Sequence, residues 1–325
     1  MDAPAPSGTQ LAREAQAGSR RALARLLTAV ESRSSVAEEA LRTLYPAAAG
    51  AHLVGVTGPP GGGKSTLVAA LVGVAREASR SVAVLAIDPS SPITGGAILG
   101  DRIRMQGHAA DRDVFIRSMA SRGHLGGLAG TTAESAAVLA ACGFELVFIE
   151  TVGTGQSEVE VASIADTTVV VQAPEMGDEV QALKAGLLEV ADLVVVNKSD
   201  RPGADRTAMQ LRAMLTLGDE VPSPGRPRPK HPAVLLASGL TTAGVTELLA
   251  ALDHIHRSGV QSNGPHAARL ARARAQVEGI LADRVRGTLW SGGDRAGTEA
   301  LMEQVAAHEL DPYAAADRLW RRLEA

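Results

Sequence analysis

The chain has 325 residues, 45% of them apolar and 21% charged, with a formal net charge of −4. That apolar share is ample for one large core and excludes a wholly disordered chain. Aromatic residues make up only 2%, so base-stacking nucleic-acid binding lacks its platforms, the charge gives no phosphate-backbone signature, and the core must be built from Ala, Val, Leu and Ile. The single cysteine, Cys142, permits no intrachain disulfide and reads as a small buried apolar residue. No apolar run is long enough to span a membrane, and the N-terminus lacks a secretory apolar stretch.

Residues 1–8 are rich in Pro, Ala and Ser and read as a frayed tail. From Thr9 to Leu44 the pattern is helical, in two segments, with Leu23, Leu26, Leu27 and Val30 on one face. Ser34-Ser35, with Glu38 three residues after Ser35, reads as a cap for the second segment. Arg13, Arg20, Arg21 and Arg25 give this region a faint likeness to a mitochondrial transit peptide, but Glu14 interrupts it and the stretch reads equally as a folded helix. From residue 51 short β-branched runs alternate with longer helical stretches. The predicted strands are 52–57, 82–87, 113–117, 145–150, 167–172, 192–196 and 233–237. Continuous apolar strands separated by helices predict an α/β fold with a mainly parallel sheet covered on both faces, and ligands at the carboxyl ends of its strands.

Directly after the first strand comes Gly58-Pro59-Pro60-Gly61-Gly62-Gly63-Lys64-Ser65, the pattern G-x-x-x-x-G-K-S, followed by a helical run from Thr66. Strand, glycine loop and helix are the context a phosphate-binding loop requires. The glycines let successive N–H groups point at one anion, and the helix N-terminus adds its partial positive charge. Lys64 is then placed for the β- and γ-phosphates and the Ser65 hydroxyl for Mg²⁺. Hard oxygen ligands for that ion are available from Asp88 at the end of the second strand, Asp101 further along the loop it opens, and Glu150 at the end of the fourth. Glu150-Thr151-Val152-Gly153 resembles the D-x-x-G switch of GTPases with Glu in place of Asp, and Gly153 can offer its N–H to a γ-phosphate. Asn197-Lys198-Ser199-Asp200 follows the sixth strand and matches N-K-x-D. A carboxylate there accepts from guanine N1–H and the exocyclic amine, a donor pair that adenine lacks, so GTP is expected over ATP.

The remaining segments say less. Residues 221–232 hold five prolines with Arg226, Arg228 and Lys230 and read as a solvated loop. Residues 265–325 return to helical periodicity with nine arginines against nine acids, a solvated helical appendage. His254 and His256 are two apart and face different ways on a helix, which argues against a metal centre built from them.

Together, Gly58 to Thr66, Asp88 to Met105, Phe115 to Gly123 with Gly126-Gly127-Leu128, Glu150 to Glu158, Gly177 to Gly186 and Asn197 to Asp200 resemble the MeaB/ArgK family of P-loop GTPases, from about residue 18 to the end. Members of that family escort adenosylcobalamin-dependent methylmalonyl-CoA mutase. The resemblance implies a P-loop fold, GTP/GDP and Mg²⁺ as ligands, and a metal and hydrolysis site at Ser65, Asp88, Asp101 and Glu150, with Lys64 and Gly153. It implies nucleotide contacts at Pro60 to Thr66, Asn197, Lys198, Asp200 and the stretch Ser238-Gly239-Leu240. It also implies a relay to the mutase through Asp178, Gln181 and Lys184. Its implied organisation is an N-terminal helical extension (1–50), a GTPase domain (51–260) and a C-terminal helical segment for homodimerisation (261–325).

Three departures from the family pattern stand out: Thr154 for Val, Pro174-Glu175 for Pro-Gly, and Ser238-Gly239 for Ser-Ala, the last expected to loosen base contacts slightly. The glutamine that follows the switch glycine in many GTPases is here Thr154, the nearest being Gln156, which predicts slow intrinsic hydrolysis completed by a partner. Arg102, Arg104 and Arg122 are candidates for a charge-stabilising arginine. The expected activity is GTP hydrolysis that gates cofactor loading and protection of the mutase, in a cytoplasmic protein that binds neither nucleic acid nor membrane. Competing readings are the same role for an isobutyryl- or ethylmalonyl-CoA mutase, a nickel-insertion GTPase, and a transport-associated kinase.

Overall fold

The computed structural model describes residues 6–89, 106–108, 110–121, 127–151, 156–174, 187–217, 232–261, 264–291 and 295–324. The chain divides into two compact units, Met1–Leu270 and Ala271–Ala325.

The first unit opens with three helices, not the two that periodicity predicts: α1 (Gly8–Gln16), α2 (Arg20–Glu31) and α3 (Ser35–Leu44). The extra break comes from capping. Ser7 and Ser19 each accept a backbone N–H and start separate helices, and the Glu39 carboxylate accepts from the N–H groups of Gly8 and Thr9. The predicted cap of α3 does not form. Ser34 occupies the cap position, but its hydroxyl donates backwards to the Ala29 carbonyl at 3.3 Å. Arg20 donates to the carbonyls of Asp111, Arg112 and Val114, which ties α2 to the start of a strand.

The sheet has seven parallel strands: β1 (His52–Thr57), β2 (Val82–Pro89), β3 (Val114–Ser121), β4 (Leu146–Thr151), β5 (Thr167–Gln172), β6 (Leu193–Val196) and β7 (Ala233–Leu236). Their order is β3-β2-β4-β1-β5-β6-β7. The sheet is thus parallel throughout, as the apolar runs predict, although β2 and β3 run beyond their predicted ends. Alternate residues feed opposite faces. Val82 and Val84 join a core with α4 (Lys64–Glu77) and α8 (Val245–Gln261). Ala83, Leu85 and Ile87 join the core formed by α1 to α3 and α5 (Gly127–Ala141), flanked by α6 (Gln156–Ile164). A third cluster packs α7 (Ala204–Leu217) on Val170, Val194 and Val196. The N-terminal helices therefore share the main core rather than standing apart from it. Cys142 is half-buried, and burial pushes its thiol up to about 11. His256 does not sit alone on its helix: its ring stacks on that of buried His52, with centroids 4.2 Å apart.

Gln172, at the last position of β5, is fully buried, yet neither its amide oxygen nor its nitrogen has a hydrogen-bond partner among the described residues. A buried polar group left unpaired destabilises by about 1–3 kcal/mol. Gln172→Met, which keeps the length of the side chain and removes both polar atoms, is expected to raise stability by about 1 kcal/mol or more. Denaturant unfolding of the two proteins measures it.

The second unit contains the remainder of α9 (Gly264–Ser291), with α10 (Arg295–Ala306) and α11 (Pro312–Glu324). Its interior is small: Thr298, Leu301 and Ala315 are buried, while Val277, Leu281, Tyr313 and Trp320 are more than half exposed. Among the described residues no helix is long and apolar enough to cross a membrane.

Candidate functional site

β1 ends at Thr57 and α4 starts at Lys64, so the glycine loop lies at the carboxyl edge of the sheet beside the ends of β4, β5 and β6. Gly63 has φ of 86°, and a Cβ on it would fall 2.5 Å from Asn197 Nδ2. Only glycine supplies both the left-handed turn and the close approach. Lys64 is buried, and its ammonium donates to the carbonyls of Gly58 and Pro59 at 2.7 and 3.0 Å, folding back over the loop.

Ser65 follows on the first turn of α4, and its hydroxyl donates to Glu150 Oε1 at 2.5 Å. Glu150 is buried at the end of β4. A hydroxyl and a carboxylate joined in a buried pocket are hard oxygen donors of the kind Mg²⁺ takes, so the residues present fit that ion. Register sets Ala86 beside Glu150, which carries the backbone of Asp88 to the same edge of the sheet. The side chain of Asp88 lies outside the described residues, as do Asp101, Gly153 and Thr154, the arginines Arg102, Arg104 and Arg122, and the relay positions Asp178, Gln181 and Lys184.

The base motif is joined directly to the phosphate loop. Asn197 Nδ2 donates to the carbonyls of Gly62 and Gly63 at 3.0 and 3.1 Å, and its Oδ1 accepts from the Gly239 N–H at 3.0 Å. Lys198, with φ of 58°, swings its ammonium to the Gly61 carbonyl at 2.7 Å. Asp200 stays exposed, and the Ser238 hydroxyl donates to its Oδ1 at 2.5 Å. That bond holds the Asp200 carboxyl below the usual carboxylate range. Leu240 projects into solvent beside it, 79% exposed. Hydrogen bonds from Asn197, Lys198 and Ser238 therefore bring the glycine loop, Asn197 to Asp200 and the Ser238-Gly239 turn together on one edge.

Two features had no motif to announce them. Thr151 Oγ1 donates to Thr57 Oγ1 at 3.2 Å, joining the ends of β4 and β1 beneath the loop. Asn197 serves as a clamp between two loops as well as part of the base motif. Neither is visible locally, because each partner lies far off in the chain. The arrangement can seat a polyphosphate on backbone N–H groups at the start of α4, hold a divalent cation, and present a carboxylate to a purine with two adjacent donors.

Comparison with known proteins agrees with this reading. A protein of Pyrococcus abyssi named as a GTPase is 43% identical over 307 residues, 94% of each chain. The GTPase ArgK of Escherichia coli is 43% identical over 192 residues, 58% of each chain. The crystal structure of an LAO/AO transport system kinase superposes with a TM-score of 0.68 at 26% identity, covering 99% of this chain and 100% of that one. The family described as methylmalonyl-CoA mutase-associated GTPase MeaB matches residues 23–294. With the match covering most of the chain and a P-loop fold beneath it, the chain belongs to the MeaB family and is a GTPase.

Proposed function

We propose that this GTPase is a nucleotide-dependent chaperone of an adenosylcobalamin-dependent acyl-CoA mutase, methylmalonyl-CoA mutase first among the candidates, gating cofactor loading and protecting the enzyme. The observation that carries the partner is the match of residues 23–294 to a family described as mutase-associated. A mouse protein named methylmalonic aciduria type A homolog, mitochondrial, 44% identical over 147 residues (45% of this chain and 35% of that one), supports the same direction. We place the protein in the cytoplasm.

In this reading Lys64 exchanges the Gly58 and Pro59 carbonyls for β- and γ-phosphate oxygens. Ser65 and Glu150, with Asp88 and Asp101, hold Mg²⁺. Bound there, the ion supplies charge that offsets the charge on the transferring phosphoryl group. Backbone N–H groups of Gly61 to Thr66 cradle the phosphates, and Gly153 offers its N–H to the γ-phosphate. Asp200 reads guanine, with Lys198 and the Ser238 to Leu240 loop around the ring. Thr154 offers no amide to orient the water, so hydrolysis is slow until the partner completes the site. Asp178, Gln181 and Lys184 relay the nucleotide state.

The 261–325 segment forms the homodimer. The exposed Val277, Leu281, Tyr313 and Trp320 supply the apolar surface such an interface buries. The test is co-elution of the full chain with purified mutase, loaded with a non-hydrolysable GTP analogue or with GDP. A complex whose affinity differs between the two nucleotides is expected. Absence of any complex in either state overturns the proposal.

A further inference from the structure

Gln172 is fully buried, and both polar atoms of its side chain lack a hydrogen-bond partner among the described residues. Alternation along β5 sets it on the face of Val170, and register sets it beside Val196 of β6. Val170, Val194, Val196, Ala204 and Ala208 form an apolar cluster there, which offers an amide no partner. Buried polar atoms without partners are rare in native folds.

The main chain of the same strand end is the floor of the phosphate loop. Thr57 pairs with Val170, so Gly58 follows beside Val171. Gly58 has φ of 136°, and a Cβ on it would fall on the Val171 carbonyl oxygen. The Gln172 carbonyl accepts from the Asn197 N–H at 2.7 Å, and Asn197 in turn holds the Gly62 and Gly63 carbonyls. The Gly58 carbonyl accepts from the Lys64 ammonium, while the Pro59 carbonyl accepts both from Lys64 and from the Gly62 N–H at 3.2 Å. When Lys64 turns to phosphate, Pro59 keeps a donor and Gly58 loses the one that Lys64 supplied. An acceptor is then released one strand away from an amide that has none. A glutamine side chain spans the roughly 4.8 Å between neighbouring strands.

We infer that Gln172 is a positioning residue for the triphosphate: its amide takes over the Gly58 carbonyl when Lys64 leaves that carbonyl for phosphate. The inference goes beyond the proposed function but rests on its assignment of Lys64 to the β- and γ-phosphates. Gln172 offsets part of the cost of moving Lys64, and GTP relieves the penalty that the unpaired amide places on the free protein. GDP lacks the γ-phosphate and draws Lys64 away less strongly, so the amide favours the triphosphate.

The test compares GTP and GDP binding to the full chain and to Gln172→Met. Loss of the amide is expected to weaken GTP about tenfold and GDP about threefold or less. The free variant is at the same time expected to be more stable than the wild type, so poor folding does not account for weaker GTP. An unchanged GTP affinity shows the amide to be a packing defect alone and overturns the inference. Equal weakening of the two nucleotides overturns it as well.

A second measurement needs no nucleotide. In Lys64→Ala the Gly58 carbonyl is open in the free protein, so the amide pairs there without GTP. Gln172→Met is therefore expected to stabilise the wild-type protein against denaturant and not to stabilise Lys64→Ala, a non-additivity read from a double-mutant cycle. The same gain in both backgrounds overturns the inference. A wild-type protein that binds no GTP fails the guanine assignment instead, and the cycle still decides for Gln172.

Discussion

Lys64→Ala is expected to lower single-turnover GTP hydrolysis by about 10²–10³-fold, the scale seen when one preorganised donor to a developing oxyanion is lost. Lys64 occupies the first position of α4, where its stem is buried and its ammonium donates to the Gly58 and Pro59 carbonyls at 2.7 and 3.0 Å. On the function proposed above, the side chain has two tasks: it offsets carbonyl dipoles inside the loop, and it offers a cation to the β- and γ-phosphates of a bound nucleotide. Loss of the first lowers the melting temperature modestly. Loss of the second weakens GTP more than GDP, because the γ-phosphate has no counterpart in the diphosphate. Lys64→Arg is not expected to restore activity, since a planar five-donor fork does not replace a compact point charge between two carbonyls. Equal weakening of GTP and GDP would move Lys64 from chemistry to loop support.

Asp200→Asn is expected to weaken GTP by about 10²-fold or more, because two hydrogen bonds to a charged acceptor are lost and an amide N–H is turned towards the guanine donors. The same change is expected to improve XTP, whose 2-oxo group accepts from the new amide. Competition of GTP and XTP for the wild-type and variant proteins reads both directions at once. The pH dependence follows from the same residue. The Ser238 hydroxyl keeps the Asp200 carboxyl below its usual range. A depressed value means that the anion persists on acidification, so guanine affinity is full above the ordinary carboxylate range and is lost only as pH falls through the lowered value. Ser238→Ala removes the donor and is expected to move the acid loss of GTP binding to higher pH. An acid limb that does not move assigns it to another group.

What the sequence disclosed depended on how local each signal was. The phosphate loop and the base motif are short continuous strings next to apolar strands, and both stand where those strings place them, at the ends of β1 and β6. The parallel sheet was legible because its central strands are buried on both faces and lack polar alternation. The three-helix start was not, since the break between α1 and α2 rests on Ser19 as a cap, and Leu23 to Val30 look the same whether or not a helix precedes them. Ser34 reads as a cap from its position, but the nearby Ala29 carbonyl competes for its hydroxyl. The clamp by Asn197, the Thr57–Thr151 bond and the contact of Gly239 with α4 join residues far apart in sequence and become visible only once the sheet has assembled. Gln172 continues the apolar strand Thr167–Gln172 as its one amide, and only its burial without a partner marks it out.

The central claim is that a guanine nucleotide, held between Lys64 and Asp200, is read by an adenosylcobalamin-dependent mutase. GTP turnover by the purified protein, alone and with each candidate mutase in apo and holo form, tests it most directly. The account predicts slow turnover by the protein alone and strong stimulation by one mutase, differing between its apo and holo forms. Fast turnover without a partner, or tight GTP binding that no mutase stimulates, would contradict it.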